Sequence, residues 1–312
     1  MSEILTVAPL AIAYVVIGVA DMNEALDLWV GRFGMEVVAR RPGADEELAR
    51  AWQLPADGIV DQALLLTPGM QEGGIHLVRF RSPGAAVRDG AAPTALLPKS
   101  VDVAVRDIED RYAELAAGGY RFRSRVGVLE TDKGEKVYEA HMTGHDGINV
   151  VLVEQPAHPE TVSAKGYGVA PLVVAVSPDN GREAQYLRQV LGLEELMHNQ
   201  FSGPSIERTI GLPPGASLDV RILGDARRAF GRIELVQYRG VTSENRYPRA
   251  RAPSRGQLSV TYFVDDLARW LAPPRADAVT DLGRGAGIYG PGRMATLSTP
   301  AGLRIDLVER AR

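Results

Sequence analysis

The sequence predicts an α+β protein of four βαβββ modules, and three observations carry that prediction. The first is an internal repeat. Residues 74–80 and 232–238 are apolar, strand-like runs with one ionisable residue near the middle, and His76 and Glu234 stand 158 residues apart. The same offset relates Leu54-Pro55 to Leu212-Pro213, Asp61 to Asp219, Phe33-Gly34-Met35 to Leu191-Gly192-Leu193, and Asp21 to Asp179. Self-similarity of this length fixes an architecture before any single motif is weighed. The second is size: 312 residues, 45% hydrophobic and 24% charged, suit two globular units of about 150 residues each. The third is the order of strand and helix patterns within each copy.

Residues 11–19 form an apolar, β-branched run of strand length. Asp21 or Asn23 then caps a helix whose apolar face is Leu26, Trp29, Val30 and Phe33, spaced i, i+3, i+4 and i+7. Gly34 ends it. Strands at 36–40, 61–67 and 75–80 complete the first module, with a polar, partly helical excursion at 46–49. In the second module a strand at 101–105 meets Asp107, the expected cap of a helix with face Ile108, Tyr112, Leu115 and Ala116. Gly118-Gly119 breaks that helix, and strands follow at 120–125, 136–142 and 148–153, with His145-Asp146-Gly147 turning the last hairpin.

A Pro/Gly-containing connection, residues 157–167, is the predicted domain boundary. The N-terminal domain then spans 1–156, with modules at about 9–83 and 97–155. The C-terminal domain spans 168–312, with modules at about 168–240 and 256–310. The third module repeats the first, with a strand at 172–176, the cap Asp179 and a helix face of Ala184, Leu187 and Leu191. The fourth has a strand at 258–264, the cap Asp266, a short helix cut by Pro273-Pro274, and a closing hairpin into residues 303–307.

Bulk properties exclude several functions. The net charge of −4, with signs interspersed, gives no footprint for nucleic acid. The run Arg246, Arg249, Arg251, Arg255 reads as a solvated linker. With no cysteine, disulfides, thiolate ligands and cysteine nucleophiles are ruled out. No signal peptide precedes the first strand and no apolar run reaches membrane-spanning length, so a cytoplasmic protein without a membrane partner is expected. Gly283-Arg284-Gly285-Ala286-Gly287 leads into no helix and precedes no P-loop lysine, so it is a flexible connection or a lid, not a phosphate loop.

The signature Asp21…Leu28-Trp29…Phe33-Gly34-Met35, its copy Asp179…Tyr186-Leu187…Leu191-Gly192-Leu193, and the closing strands through Ile233-Glu234-Leu235 and Ile305-Asp306-Leu307 resemble the vicinal oxygen chelate superfamily. That group includes glyoxalase I, extradiol catechol dioxygenases and bleomycin-resistance proteins. The resemblance covers essentially the whole chain and implies modules paired into two open-barrel domains. It also implies metal ligands on the first and last strand of each module. By position these places are Tyr14, Ser100, Leu172 and Ser259, then His76, Val151, Glu234 and Asp306. Neither the N-terminal nor the C-terminal set reproduces a two-histidine, one-carboxylate centre or the four ligands of glyoxalase I. No metal is therefore assigned. If iron, manganese or zinc is held, His76 or Glu234 with Asp306 would supply ligands.

His76, Glu234 and Asp306 are the candidate catalytic residues. His76 in an apolar strand needs a partner or a role. It is either a hydrogen-bonded structural histidine or a general base with Tyr14 across the barrel. Glu234 and Asp306 would converge by the family geometry, each raising the other's pKa to make a proton carrier, or would hold a hard cation. The structural alternative pairs them with neighbours such as Arg232 and Arg304. Tyr14, His141, His198 and Tyr262 are the expected pocket lining. The reading is an enzyme of isomerase or lyase type, transferring a proton on an oxygenated, aromatic or ketone-like small molecule. The alternatives are a divalent-metal, extradiol-dioxygenase-like oxidoreductase and a metal-free binding or resistance protein. Four tandem modules favour the enzyme, as a monomer or a homodimer.

Overall fold

All eight residues of the first strand, β1 (Ile12–Val19), are buried, as befits an apolar strand at the middle of a sheet covered on both faces. The computed structural model describes residues 10–131, 134–156, 162–168, 172–228, 230–273, 275 and 278–310. Residues 157–161 of the expected linker lie outside these. The first module continues with α1 (Met22–Leu26), extended by the wider π turn Asp27–Arg32, then β2 (Glu36–Pro42), α2 (Glu46–Ala51), β3 (Ile59–Leu66) and β4 (Gly74–Phe80). The second holds β5 (Pro98–Ala104), α3 (Ile108–Ala117), β6 (Arg121–Phe122), β7 (Gly127–Glu130), β8 (Lys136–Thr143) and β9 (Asn149–Glu154). The third holds β10 (Leu172–Val176), α4 (Asn180–Leu191), β11 (Glu194–Ser202), α5 (Pro204–Ile210), β12 (Ser217–Gly224) and β13 (Arg232–Arg239). The fourth holds β14 (Gly256–Val264), α6 (Ala268–Leu271), β15 (Thr280–Arg284), β16 (Arg293–Ser298) and β17 (Arg304–Glu309).

The caps follow the repeat with one variation. Asp21 accepts from the backbone of Asn23 and Glu24, and Asp179 from Arg182. Asp107 instead takes a left-handed φ of 60° and makes no side-chain cap, so that Glu154, at the end of β9, accepts from the amides of Asp107 and Ile108. Glu309 in the fourth module does the same for Leu267, with Asp266 accepting from Ala268. A carboxylate from the last strand thus satisfies the orphan helix donors and ties helix to sheet.

Within each module the first and last strands pair in parallel: β1–β4, β5–β9, β10–β13 and β14–β17. The sheets then join antiparallel through first strands. One sheet runs β15-β16-β17-β14-β1-β4-β3-β2, and the other β11-β12-β13-β10-β5-β9-β8-β6, with β7 on β8. Four βαβββ modules in two open sheets is the predicted α+β architecture, but the pairing differs from that expected. Module one joins module four and module two joins module three, so neither sheet is built from one chain half.

The connections that carry the chain between sheets account for this. Residues 81–97 and 240–255 run side by side, with amides of Gly84 and Val87 donating to Pro253 and Arg255, and Leu96 and Arg246 bonded to Glu244 and Leu96. The arginine run expected as a solvated linker is this strap. Arg246 is buried and donates to the carbonyls of Asp89 and Gly90.

Strand alternation divides the apolar residues. Val15, Ile17 and Val19 of β1 and Val173 and Ala175 of β10 face the helices, where one core, containing Trp29, Phe33, Tyr167, Leu187 and Tyr262, unites both sheets. The alternate residues, Val16 on β1 and Val174 and Val176 on β10, face two separate cups. A clamp reinforces the shared core: the Trp29 indole donates to His145 Nε2 at 2.9 Å, and His145 Nδ1–H faces Asp146, which also accepts from Ala20 and Arg255. No helix among the described residues is long and apolar enough to cross a membrane.

Candidate functional site

The cup of the outer sheet, formed by modules one and four, is filled by its own side chains. His76 on β4 is fully buried, and its two ring nitrogens meet Tyr289 Oη at 2.7 Å and Gln62 Oε1 at 3.0 Å. Gln62 Oε1 can only accept, so Nε2 carries the proton and Nδ1 accepts from Tyr289. Tyr289 in turn accepts from Thr261, and the Gln62 amide donates to Asp45, which caps α2. The relay Thr261, Tyr289, His76, Gln62, Asp45 leaves neither ring nitrogen free. Burial pulls the imidazole down to about 3, so the ring stays neutral. The glycine-rich connection, expected as a lid or flexible loop, delivers Tyr289 into this cup, where its ring centroid lies 5.9 Å from that of Tyr14.

Asp306 belongs to the same sheet. It accepts from Arg304 Nε at 2.9 Å and is fully buried, with Ser259 Oγ at 3.5 Å. This is the structural arginine pairing. The expected convergence of Glu234 with Asp306 does not occur, because β13 and β17 lie in different sheets. Tyr262 falls on the helix-covered face of β14 and packs into the shared core, away from either cup. His198 is exposed on β11 and meets Asp219 at 3.2 Å. Its neighbours Met197 and Phe201 line the cavity in its place.

The cup of the inner sheet is open. A cavity of about 840 Å³, its mouth included, is bounded by β5, β8, β9, β10, β11, β12, β13 and α5. Opposite ends of the sheet line one hollow, so the sheet curls around it. The walls are apolar, including Val137, Val151, Leu172, Phe201, Ile206 and Val236, and the polar groups converge from three strands. On β8, period-two alternation sends Val137, Glu139 and His141 inward. On β13 it sends Glu234, Val236 and Tyr238 inward. On β5, Ser100 and Asp102 point in, and so does Lys99 between Pro98 and Ser100.

A β-bulge explains Lys99. Ser100 pairs with Val174 and Pro98 with Ala175, so Lys99 is the extra residue that strict alternation would have sent to the helix side. The same irregularity recurs on β14, where Leu258 is the extra residue and lines a small hollow with Val16 and Trp52. One backbone device therefore supplies a leucine to one cup and an amine to the other.

Burial dominates the electrostatics. It raises Glu234 to about 8, with the charge of Glu139 adding and Lys99 opposing. It raises Glu139 to about 7, again opposed by Lys99. Asp102 is pushed well up by burial and then by Glu234 and Glu139, despite the hydrogen bond from Ser100 at 3.0 Å. The Lys99 ammonium is held well below the usual range by burial and by Arg123 and Arg88, which outweigh Glu234 and Glu139. It lies over the Tyr238 ring, 4.5 Å from the centroid. His141 is neutral for the same reasons. Asn149 Nδ2 lies 3.4 Å from its Nδ1, which leaves the proton on Nε2, 3.5 Å from Glu139 Oε2 with no hydrogen bond formed.

Of the residues expected from sequence, Glu234 and His141 stand together on this cavity, and His76, Tyr14 and Asp306 stand together in the other sheet. Lys99, Asp102 and Glu139 were missed. Charged residues inside the apolar runs 98–104 and 136–142 were the available signal. The residues here do not fit the metal that the family resemblance suggests. Opposite the last-strand residues of this cup, Val151 and Glu234, the first strands place Asp102 and Val174. Two of four positions are thus valines, and an ammonium sits beside the carboxylates. Among the described residues no three His, Asp or Glu side chains are grouped to hold an ion.

No sequence-family model and no curated protein matches this chain. Among solved structures it is similar to glyoxalase I from Zea mays, with a TM-score of 0.64 and 15% identity over 96% of this chain and 92% of that one. It is also similar to a putative dioxygenase from Bacillus subtilis, with a TM-score of 0.60 and 13% identity over 97% and 86% of the two chains. The chain therefore shares its fold with these two structures over 96% and 97% of its length.

Proposed function

We propose that this chain is an enzyme moving a proton on a small, oxygenated, largely apolar molecule, of isomerase or lyase type, with the inner cavity as its active site. One observation carries the reading: Glu139 and Glu234, raised to about 7 and about 8, face the same apolar hollow as a buried lysine. Near neutrality one carboxyl can hold a proton while the other accepts one, the condition for efficient general acid–base work. Lys99 lies where it can stabilise negative charge as it develops on a substrate carbonyl oxygen. The neutral His141 Nε2–H, without a hydrogen-bond acceptor, is a second donor for that oxygen. The apolar walls exclude water and suit an aromatic or alicyclic skeleton. A single chain supplies every strand of the cavity, so a monomer suffices.

Solvent-deuterium exchange tests this. Aryl ketones that stabilise the protein thermally are incubated with it in D₂O, and α-carbon deuteration is followed by NMR. Enzyme-dependent exchange is expected, reduced roughly 10²-fold or more in Glu234→Gln with ligand affinity retained. Binding without exchange by any ketone would favour a sequestration protein and sink the catalytic reading.

A further inference from the structure

We infer that Lys99 is a covalent nucleophile, forming an imine with the carbonyl carbon of an aldehyde or ketone bound in the inner cavity. The inference rests on the proton-transfer reading above and deepens it by naming the substrate class and the intermediate.

Composition points first to an amine. The chain has four lysines, Lys99, Lys133, Lys136 and Lys165, against 31 arginines, so cationic positions are almost all guanidinium. An arginine would serve as well for holding a negative charge, but only a primary amine can form C=N. Among the described residues Lys99 is the one lysine on the cavity, and it is also the residue that a β-bulge redirects inward. Its side chain is buried and its ammonium rests on the face of Tyr238, while none of the described carboxylates closes on it to ion-pair distance. An amine held by an aromatic face rather than locked in a salt bridge can lose its proton and turn towards a ligand. Desolvation in an apolar pocket, with further cations nearby, is the usual means of keeping such an amine neutral and reactive. Arg88 and Arg123 are those cations here.

The neighbouring acids complete the step. The nitrogen lone pair attacks the carbonyl carbon and the C=O π electrons move to oxygen. A carboxylate of Glu139 or Glu234 takes the proton released from nitrogen, and the protonated partner delivers one to oxygen. The carbinolamine then expels water, giving the imine, so that amine and carbonyl compound yield imine and one water with no other reactant. Protonated at nitrogen, the C=N bond draws electrons from the α-carbon. The same carboxylate can then accept an α-proton to leave an enamine, and hydrolysis returns the amine. This electron sink would supply the activation that the missing metal ligands cannot.

Reductive trapping tests the inference. Wild-type protein is incubated with benzaldehyde or 2-heptanone, reduced with borohydride, digested and mapped by mass spectrometry. The four lysines and the α-amine are its only primary amines, so the map is short. Lys99 is expected to carry the adduct at least ten times more than Lys136 or Lys165. Labelling of Lys99 no greater than of these two, with a carbonyl compound that demonstrably binds, overturns it. Lys99→Arg gives an independent reading, since it keeps a long N–H donor at this position and removes the nucleophile. Ketone exchange that survives in Lys99→Arg refutes the imine while leaving proton transfer intact. Loss of exchange in this folded variant, with trapping at Lys99 in the wild type, supports it. Absence of both exchange and trapping in the wild type fails both readings together.

Discussion

Replacing Glu234 by glutamine should change how stability depends on pH, and the sign follows from burial. Glu234 titrates near 4.5 when unfolded and near 8 in the native cavity. Between these values the native state holds a proton that the unfolded chain has released, so stability falls as pH rises through that window and is fully present below about 4.5. One proton of difference corresponds to a slope of about 1.4 kcal/mol per pH unit. Asp102, whose carboxyl Glu234 also helps to raise, moves in the same direction when that charge is removed. Urea unfolding of wild type and Glu234→Gln at pH 5.5, 6.5 and 7.5, at one ionic strength, reads the difference. The mutant line should be shallower by roughly 1 to 1.5 kcal/mol per pH unit, and the gap between the proteins should shift in favour of the mutant as pH rises. Parallel lines would mean that Glu234 ionises as an ordinary surface carboxyl. The cavity would then be wet, and the proton-carrier argument would fail with it.

Turnover should follow a bell, rising as Glu139 loses its proton near 7 and falling as Glu234 loses its proton near 8. A kcat/KM profile with neither limb between pH 6 and 9 would contradict these roles. Tyr289→Phe removes the hydroxyl that bridges His76 and Thr261, and should cost about 1–3 kcal/mol of stability while leaving ligand affinity in the inner cavity unchanged. Denaturation and thermal-shift titration check the two halves of that statement. Arg304→Met strands a buried Asp306 carboxylate and should destabilise by about 3–5 kcal/mol; a loss below about 1 kcal/mol would show that water reaches the site. Gly127→Ala places a Cβ 2.5 Å from Thr209 Oγ1, forcing apart β7 and α5. Since Ile206 and Ile210 of α5 line the cavity, ligand affinity should fall along with stability, and a fully stable, tight-binding variant would refute the packing.

The modules were legible because each repeats a buried strand, an acidic start and an apolar helix face. The 158-residue offset holds between the copies, since His76 lies opposite Val16 and Glu234 opposite Val174, but the first-strand places expected at Tyr14 and Leu172 stand two residues before those partners. Pairing between modules was not legible. Every module offers a similar first strand, and the choice is made by hydrogen bonds between two irregular connections, which carry no periodicity. The facing of Tyr262 and His198 turned on a one-residue slip, which inverts a strand's faces. Lys99 was hidden by the opposite effect, a bulge that breaks the very alternation used to assign faces. Glu139 was overlooked although His141, two residues on in β8 and on the same face, was expected in the pocket: the places implied by the resemblance lie on first and last strands, and period-two alternation was not followed back from His141.

The nested pairing of modules also sets an order in time. During synthesis, the second and third modules are consecutive and can close their sheet once β13 has emerged. The first module cannot. Its strand β1 must wait, with one edge unpaired, until β14 arrives some 240 residues later. An open apolar edge is a template for association with other chains. A ribosome pausing between the third and fourth modules would therefore hold a finished cavity beside an unfinished, adhesive sheet. Aggregation of this chain, where it occurs, should begin with its oldest strands.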